Sequence, residues 1–339
     1  MTDTMPPLYI QFLNRFDVEA LHLTDAEIIG AVERGLLLQG LGQTVIEPRM
    51  HLEPGAGQVG HFNVLRGWIG APVDYAGVKV VSDYYDNYKA GLPSELATLL
   101  LLDTMTGAPR AILDAMSITD MRTGAVSAIG AKHLARKTSK ILANVGARGT
   151  SYWNCRLIAS LFDLDEIRIH SRREESREAL GARLRADLPG GAKITVTADW
   201  ESCVRGADIV IEASRLVAPE PLLKTDWIKN GALVMPYGTM SAVELSLTGF
   251  MDKIYMDDWG QRGGTKGALR PHVDAGLLGE HNFSGELGAV VAGKTPGRHS
   301  EDETILLWHR GLSLSDIALG HAMLEKAARI GVGQRLRWA

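Results

Sequence analysis

The stretch Ile141-Leu142-Ala143-Asn144-Val145, running directly into Gly146-Ala147-Arg148-Gly149-Thr150-Ser151, decides how the chain is read. An apolar strand that ends in a glycine turn and opens a helix aims backbone N–H groups at the place where a pyrophosphate can sit. Ser151–Phe162 supplies the helix, and Glu166–His170 the next strand, about 20 residues on. Arg148 stands where a GxGxxG pattern has its second glycine, so the turn alone also fits an ordinary βα connection. The following strand ends in Ser171-Arg172-Arg173, with no acid to take a ribose 2′-hydroxyl. A hydroxyl and two guanidiniums suit a 2′-phosphate through charge-assisted, forked contacts; the alternative is a solvated basic start to a helix. The cofactor set therefore reads Gly146, Ala147, Arg148, Gly149, Thr150, Ser151, Ser171, Arg172 and Arg173, with NADP expected and NAD as the alternative.

Downstream, a helix over Arg173–Ala186 and strands at Ile194–Thr197, Ile209–Ala213, Leu233–Pro236 and Ile254–Met256 continue the alternation, which implies a parallel sheet. Upstream the pattern differs. The first 20 residues read as an irregular or extended arm, and Thr24-Asp25-Ala26-Glu27 has the spacing of a capping box. The helix it opens carries Ile28, Ile29, Val32, Leu36 and Leu37 at helical intervals and should stop near Gly40 or Gly42. Short strands at Thr44–Ile46, Gly60–Leu65, Val78–Ser82, Leu96–Asp103 and Arg110–Ala115 then predict an antiparallel or mixed sheet. Met121–Leu134 reads as a small-residue helix. A last helix spans about Ser313–Ile330, opening with Ser313-Leu314-Ser315-Asp316 in capping-box spacing and stopping at Gly331.

The chain has 339 residues, enough for about two domains. Hydrophobic residues make up 45% and charged residues 22%, which excludes a disordered chain. A net charge of −4 without a Lys/Arg-rich face argues against nucleic acid as a partner. No apolar run reaches the ~18 residues of a membrane span, and the first residues lack a signal peptide's basic end and apolar run. Two isolated cysteines, Cys155 and Cys203, exclude a disulfide framework and fit a reducing, cytoplasmic location. His133, His170, His272, His281 and His321 show no ligand spacing, so no metal is expected.

Several ordered segments resemble the ornithine cyclodeaminase/mu-crystallin family: Gly77-Val78-Lys79-Val80-Val81-Ser82, Gly91-Leu92-Pro93, and Leu113-Asp114-Ala115 through Met121-Arg122-Thr123-Gly124-Ala125. Ala207-Asp208-Ile209-Val210, Gly285-Glu286-Leu287-Gly288, Gly293-Lys294 and Pro296-Gly297-Arg298 continue the match over roughly residues 20–330. The resemblance implies an α/β fold, in which a Rossmann-type doubly wound parallel sheet domain (119–313) is inserted into an α+β substrate and dimerisation domain (1–118 with 314–339). It also implies a homodimer and a nicotinamide cofactor used on imino or amino acids, and it adds Thr123, Ser214 and Gly238 to the cofactor set.

Arg49, Lys79 and Arg122 fall on the family's substrate-carboxylate clamp. Such a substrate needs its carboxylate neutralised and its α-carbon fixed, which forked Arg donors achieve. A Lys beside the reacting nitrogen can supply its proton. Three departures stand out. Gly238-Thr239-Met240-Ser241-Ala242 lacks the cyclodeaminases' catalytic Asp, and no acid follows until Glu244. An acid some dozen residues after Arg49 is replaced around His61–Asn63. The Lys-Ser-x-Gly stretch before the last helix is Trp308-His309-Arg310-Gly311. The clamp is kept while the cyclisation machinery is altered. Reduction of an imino acid to an amino acid, or the reverse, is therefore expected, with Lys79 or His309 as proton donor. The alternatives are an ornithine or lysine cyclodeaminase with catalytic cofactor, and a non-catalytic nucleotide or small-ligand binder. Asp257-Asp258, after an apolar strand, reads as a strand-end turn with lining of the cofactor cleft as the alternative, and Trp259 and Trp308 read as packing residues with stacking platforms as the alternative.

Overall fold

The structure, a computed structural model, describes residues 7–55, 60–84, 86–147, 149–188, 190–214, 216, 219–238, 240–263 and 269–339, without the side chains of 262 and 263. Arg148, expected at the cofactor, and Thr239 lie outside the described residues. By internal contacts the chain forms two compact units, Met1–Arg122 with Leu312–Ala339, and Thr123–Gly311.

The first unit is a mixed sheet carrying helices. Its strands are β1 (Tyr9–Leu13), β2 (Thr44–Ile46), β3 (Met50–Leu52), β4 (His61–Ile69), β5 (Tyr75–Asp83), β6 (Glu95–Asp103), β7 (Pro109–Asp114) and β16 (Gln334–Arg337). They lie in the order β16-β1-β7-β6-β5-β4-β2, with β3 also on β4. All neighbours are antiparallel except β1 and β7. Within the stretch expected to be an irregular or extended arm, β1 is extended, and the correction is a short helix, α1 (Arg15–Ala20), which Asn14 caps with a full capping box. Helix α2 (Asp25–Gly40) has the predicted Thr24/Glu27 capping box. Helix α10 (Ser313–Ile330) ends at the left-handed Gly331 as read. Its start is a correction: Leu312 is the N-cap and no side chain caps it, because the Ser313 hydroxyl donates to the Arg66 carbonyl at 2.9 Å.

Leu99, Leu101 and Leu113 are fully buried on the face of the sheet that meets α10. Gly77 is on that face too; a methyl there would stand 2.6 Å from Cγ1 of Ile317. That close approach brings α10 down onto β5 beside Lys79, two residues along on the same face.

Helix α3 (Met116–Leu134) contains the boundary between the units. The second unit holds β8 (Ile141–Val145), β9 (Glu166–His170), β10 (Lys193–Val196), β11 (Ile209–Glu212), β12 (Leu233–Pro236), β13 (Lys253–Met256), β14 (Phe283–Glu286) and β15 (Ile305–Trp308). Its helices are α4 (Gly149–Ala159), α5 (Glu174–Asp187), and the shorter α6 (Trp200–Val204), α7 (Ser246–Phe250), α8 (Arg270–Asp274) and α9 (Leu287–Val291). Every strand pair is parallel, in the order β10-β9-β8-β11-β12-β15-β13-β14. β11, β12 and β15 are buried at every residue, as strands of a two-sided sheet must be. Order reverses between β8 and β11, and crevices at such a reversal, at the strands' carboxyl ends, bind ligands.

At the opposite edge, Asp208 explains one motif structurally. Its Oδ2 accepts the backbone N–H groups of Lys140 and Ile141, and its Oδ1 accepts from Arg136 and Lys229. This carboxylate pins the starts of β8 and β11.

Candidate active site

In the second unit the parallel register brings Gly146, Ser171–Arg173, Ser214, Gly238 and His309 to the carboxyl ends of β8, β9, β11, β12 and β15. Gly146 has φ +116°, and a Cβ there would lie 2.4 Å from the Ala213 carbonyl oxygen. Only glycine lets β8 turn so close to β11. Ala147 carries the chain on, and Gly149, Thr150 and Ser151 form the first turn of α4. The Asn144 amide donates to the Gly146 carbonyl at 2.8 Å and ties the turn down from beneath. Thr150 hydrogen-bonds the Tyr237 hydroxyl, which links this helix start to the end of β12.

Arg172 and Arg173 are exposed at the tip of β9, and Arg172 makes only a 3.4 Å surface pair with Glu220. Such a pair is weak, so both guanidiniums can turn to a ligand. The Ser214 N–H and hydroxyl donate to Glu212 Oε1 at 2.7 and 2.5 Å. Burial pushes the Glu212 carboxyl up, against those two bonds.

His309 is fully buried, its ring stacked on Tyr237 at 5.7 Å with Nε2 3.0 Å from the Ser127 hydroxyl. The Ser127 hydroxyl also lies 3.3 Å from the carbonyl of Thr123, another expected cofactor residue on α3. Asp257 does more than turn the chain: its Oδ2 accepts the Arg310 and Gly311 N–H groups at 2.9 Å and holds the segment after His309. Trp308 is buried with its indole N–H on the Gly238 carbonyl, and Trp259 stacks on Phe283 at 4.1 Å, both as packing residues. Met240 is buried with φ +49°, and Glu244 accepts the Thr225 N–H. Cys203 is buried in α6, which pushes its thiol up to about 12.

The residues expected to form the clamp lie in the first unit. Lys79 and Arg122 are 1% and 6% exposed, and both bind Oδ1 of the fully buried Asp316, at 2.5 and 3.0 Å. Lys79 Nζ also donates to the Thr119 hydroxyl at 3.2 Å, whose own proton goes to the Ala115 carbonyl. Burial pushes the Lys79 ammonium down to about 7; Asp316 opposes this, while Arg122 and Arg49 add to it. Arg49 is half-buried just ahead of β3, close enough for its charge to act on Lys79. Two cations thus share one buried carboxylate oxygen, with the charge of Arg49 acting on Lys79 from nearby.

Asp316 was hidden by its own spacing, since Ser313-Leu314-Ser315-Asp316 looks like a cap. The available signal was its setting: residues 313–320 are all buried, and an acid inside such a stretch must have a partner. Glu212, Ser127 and Tyr237 gave no local pattern. Among the described residues no group of three or more His, Cys, Asp or Glu could hold a metal ion, and no helix is long and apolar enough to cross a membrane.

The two units make an α/β protein, one with a parallel Rossmann-like sheet and one with a mixed, mostly antiparallel sheet. The profile of the ornithine cyclodeaminase/mu-crystallin family matches residues 10–330, and the chain belongs to that family. It is 27% identical to the alanine dehydrogenase of Archaeoglobus fulgidus over 329 residues, covering 96% of this chain and 98% of that one. The structure of Thermococcus litoralis Delta(1)-pyrroline-2-carboxylate reductase in complex with NADH and L-proline is similar at a TM-score of 0.88 and 28% identity, covering 96% of this chain and 100% of that one. An archaeal alanine dehydrogenase dimer with bound NAD gives 0.87 and 26%, covering 98% and 100%.

Proposed function

We propose that the protein is an NADP-preferring oxidoreductase that reduces the C=N bond of an imino acid to an amino acid, or runs the reverse. The observation that carries this reading is the buried pair of Lys79 and Arg122 on a single carboxylate oxygen, with the charge of Arg49 near enough to act on Lys79. A cationic surplus sheltered from water selects a small anion, and the α-carboxylate of an imino acid has the planar, two-oxygen shape that Arg binds well. Names among its relatives support the same class, namely a reductase with NADH and L-proline and an alanine dehydrogenase.

The second unit fits a nicotinamide dinucleotide on its own geometry. Gly146 lets the backbone turn tightly at the β8–α4 junction, Gly238 lies at φ +84° with open space where a Cβ would be, and the reversal of strand order falls between β8 and β11. Gly149, Thr150 and Ser151 would hold the pyrophosphate, and Ser171, Arg172 and Arg173 the 2′-phosphate. When bound, the cofactor supplies or accepts the hydride. Arg122 and Arg49 bind and orient the substrate carboxylate, and Lys79 gives its proton to the substrate nitrogen in reduction and takes it back in oxidation. His309 keeps its place as the second candidate donor, with its ring held by Tyr237 and Ser127. Met240 has no titrating side chain, so the site lacks the acid with which cyclodeaminases handle a second amine.

The working form we propose is a cytoplasmic homodimer. The face of the first sheet away from α10 exposes Met50, Leu52, Val80 and Leu96, aligned across β3, β5 and β6, an apolar surface for a second copy to cover. The two buried, unpaired thiols accord with a reducing compartment.

The reading is tested by following nicotinamide absorbance over a panel of cyclic imines and of 2-oxo acids with amines. Steady consumption with one substrate class is expected; binding without turnover across the panel contradicts it. NADPH should bind more tightly than NADH. Replacing Arg172 and Arg173 by Ala should weaken NADPH by about tenfold or more while leaving NADH nearly unchanged, since each charge-assisted bond contributes roughly 1.5–3 kcal/mol. Equal affinities in the unaltered protein would remove the NADP assignment.

A further inference from the structure

Asp316 is read in the sequence only as part of a helix-cap pattern and is none of the expected site residues, yet Lys79 and Arg122 both rest on one of its oxygens. We infer that Asp316 is a positioning residue: its Oδ1 fixes Lys79 and Arg122 together, so that their remaining N–H groups converge on the substrate carboxylate and nitrogen.

The donor inventory carries the argument. An ammonium has three N–H donors. Lys79 directs two of them at Asp316 Oδ1 and Thr119 Oγ1, and among the described residues nothing takes the third. The Thr119 proton is committed to the Ala115 carbonyl, so its oxygen can only accept from Lys79. Arg122 spends Nε on Asp316, which leaves its terminal nitrogens for a ligand. Asp316 Oδ2 is buried and takes no hydrogen bond among the described residues, so a single oxygen holds both cations. The helix gives this oxygen little freedom, because Ile317 beside it is pressed against Gly77 of the strand that carries Lys79. One buried carboxylate also offsets one of the clamp's charges. The site is then left cationic enough for a monocarboxylate without Lys79 and Arg122 repelling each other apart.

This rests on the imino-acid reading above, and the test separates the two. Asp316→Asn keeps an acceptor oxygen but loses the charge. It should raise KM for the imino acid about 10- to 100-fold, the effect of weakening hydrogen bonds to charged groups, with a smaller change in kcat. NADPH affinity, a property of the other unit, should not move. In an Arg122→Gln background, Asp316→Asn should raise KM by less than it does alone, because part of its effect runs through that partner and the rest through Lys79. If Asp316→Asn alone does not fold, the double variant carries the same test. Unchanged or lower KM in folded Asp316→Asn, or full additivity with Arg122→Gln, overturns the proposal. Failure of both variants to fold also overturns it, by assigning Asp316 to the core. If the unaltered protein turns over no imino or amino acid, the functional reading fails and takes this proposal with it.

Discussion

Arg122→Ala is expected to raise KM for the imino acid by about 30-fold to a few thousand-fold, with NADPH affinity changed by no more than about twofold. The size follows from burial. Arg122 is 6% exposed and shares Asp316 with Lys79. Removing one partner of a buried, hydrogen-bonded charge pair costs roughly 2–5 kcal/mol. The substrate loses a forked donor, and Asp316 draws Lys79 to itself with nothing to share the load. Arg122→Lys, which keeps the charge but not the fork, should fall between the two. Steady-state kinetics with varied imino acid and saturating NADPH checks this. A KM within a few fold of the unaltered protein would place the carboxylate elsewhere.

Lys79→Ala should reduce imine reduction by about 10²- to 10⁴-fold, the usual yield of a positioned general acid. The pH dependence gives the role its sign. Burial pushes the Lys79 ammonium down to about 7, with Asp316 opposing and Arg122 and Arg49 assisting. Below that pH the group carries the proton that reduction needs. Above it the proton is gone, and a positive charge is gone from the clamp as well. Reduction should therefore fall as pH rises through about 7, and amino-acid oxidation, which needs the neutral amine as base, should rise over the same range. Lys79→Ala should flatten both limbs. A reduction profile that keeps its falling limb in Lys79→Ala assigns the proton to another group, with His309 the first to examine.

Legibility in the sequence followed how local each feature was. The second unit reads well because its strands are buried on both faces and appear as unbroken apolar runs between glycine turns; Leu233–Pro236 is the strand both by pattern and in the fold. Helix α2 reads well because its cap, apolar stripe and stop are all within the element. The failures have the opposite cause. β1 exists because it pairs with β7 and with β16 from the other end of the chain. β16 is exposed at every residue and has no apolar alternation to find. β14 is four residues long and bends through Gly285 at φ +148°.

The site divides in the same way. Lys79 could be seen between two valines in a strand, and Arg122 and Gly146 in short motifs. Asp316 is 237 residues from Lys79, and its neighbours in sequence imitate a helix cap. His309 and Tyr237 meet only because β12 and β15 are adjacent strands. Chemistry made by strand order is invisible until the order is known.

We propose that this site carries out a single exchange of hydride and proton at a C=N bond, without cyclising a diamine. The most direct measurement is stoichiometry. The purified protein is supplied with NADPH and a cyclic imino acid such as Delta(1)-pyrroline-2-carboxylate, and separately with ornithine and oxidised cofactor, while nicotinamide absorbance, proline and ammonia are followed together. One NADPH should be oxidised for each amino acid formed in the first reaction, and no proline should form in the second. Proline and ammonia appearing from ornithine with no net change in cofactor, at a rate that Lys79→Ala leaves untouched, would contradict this proposal.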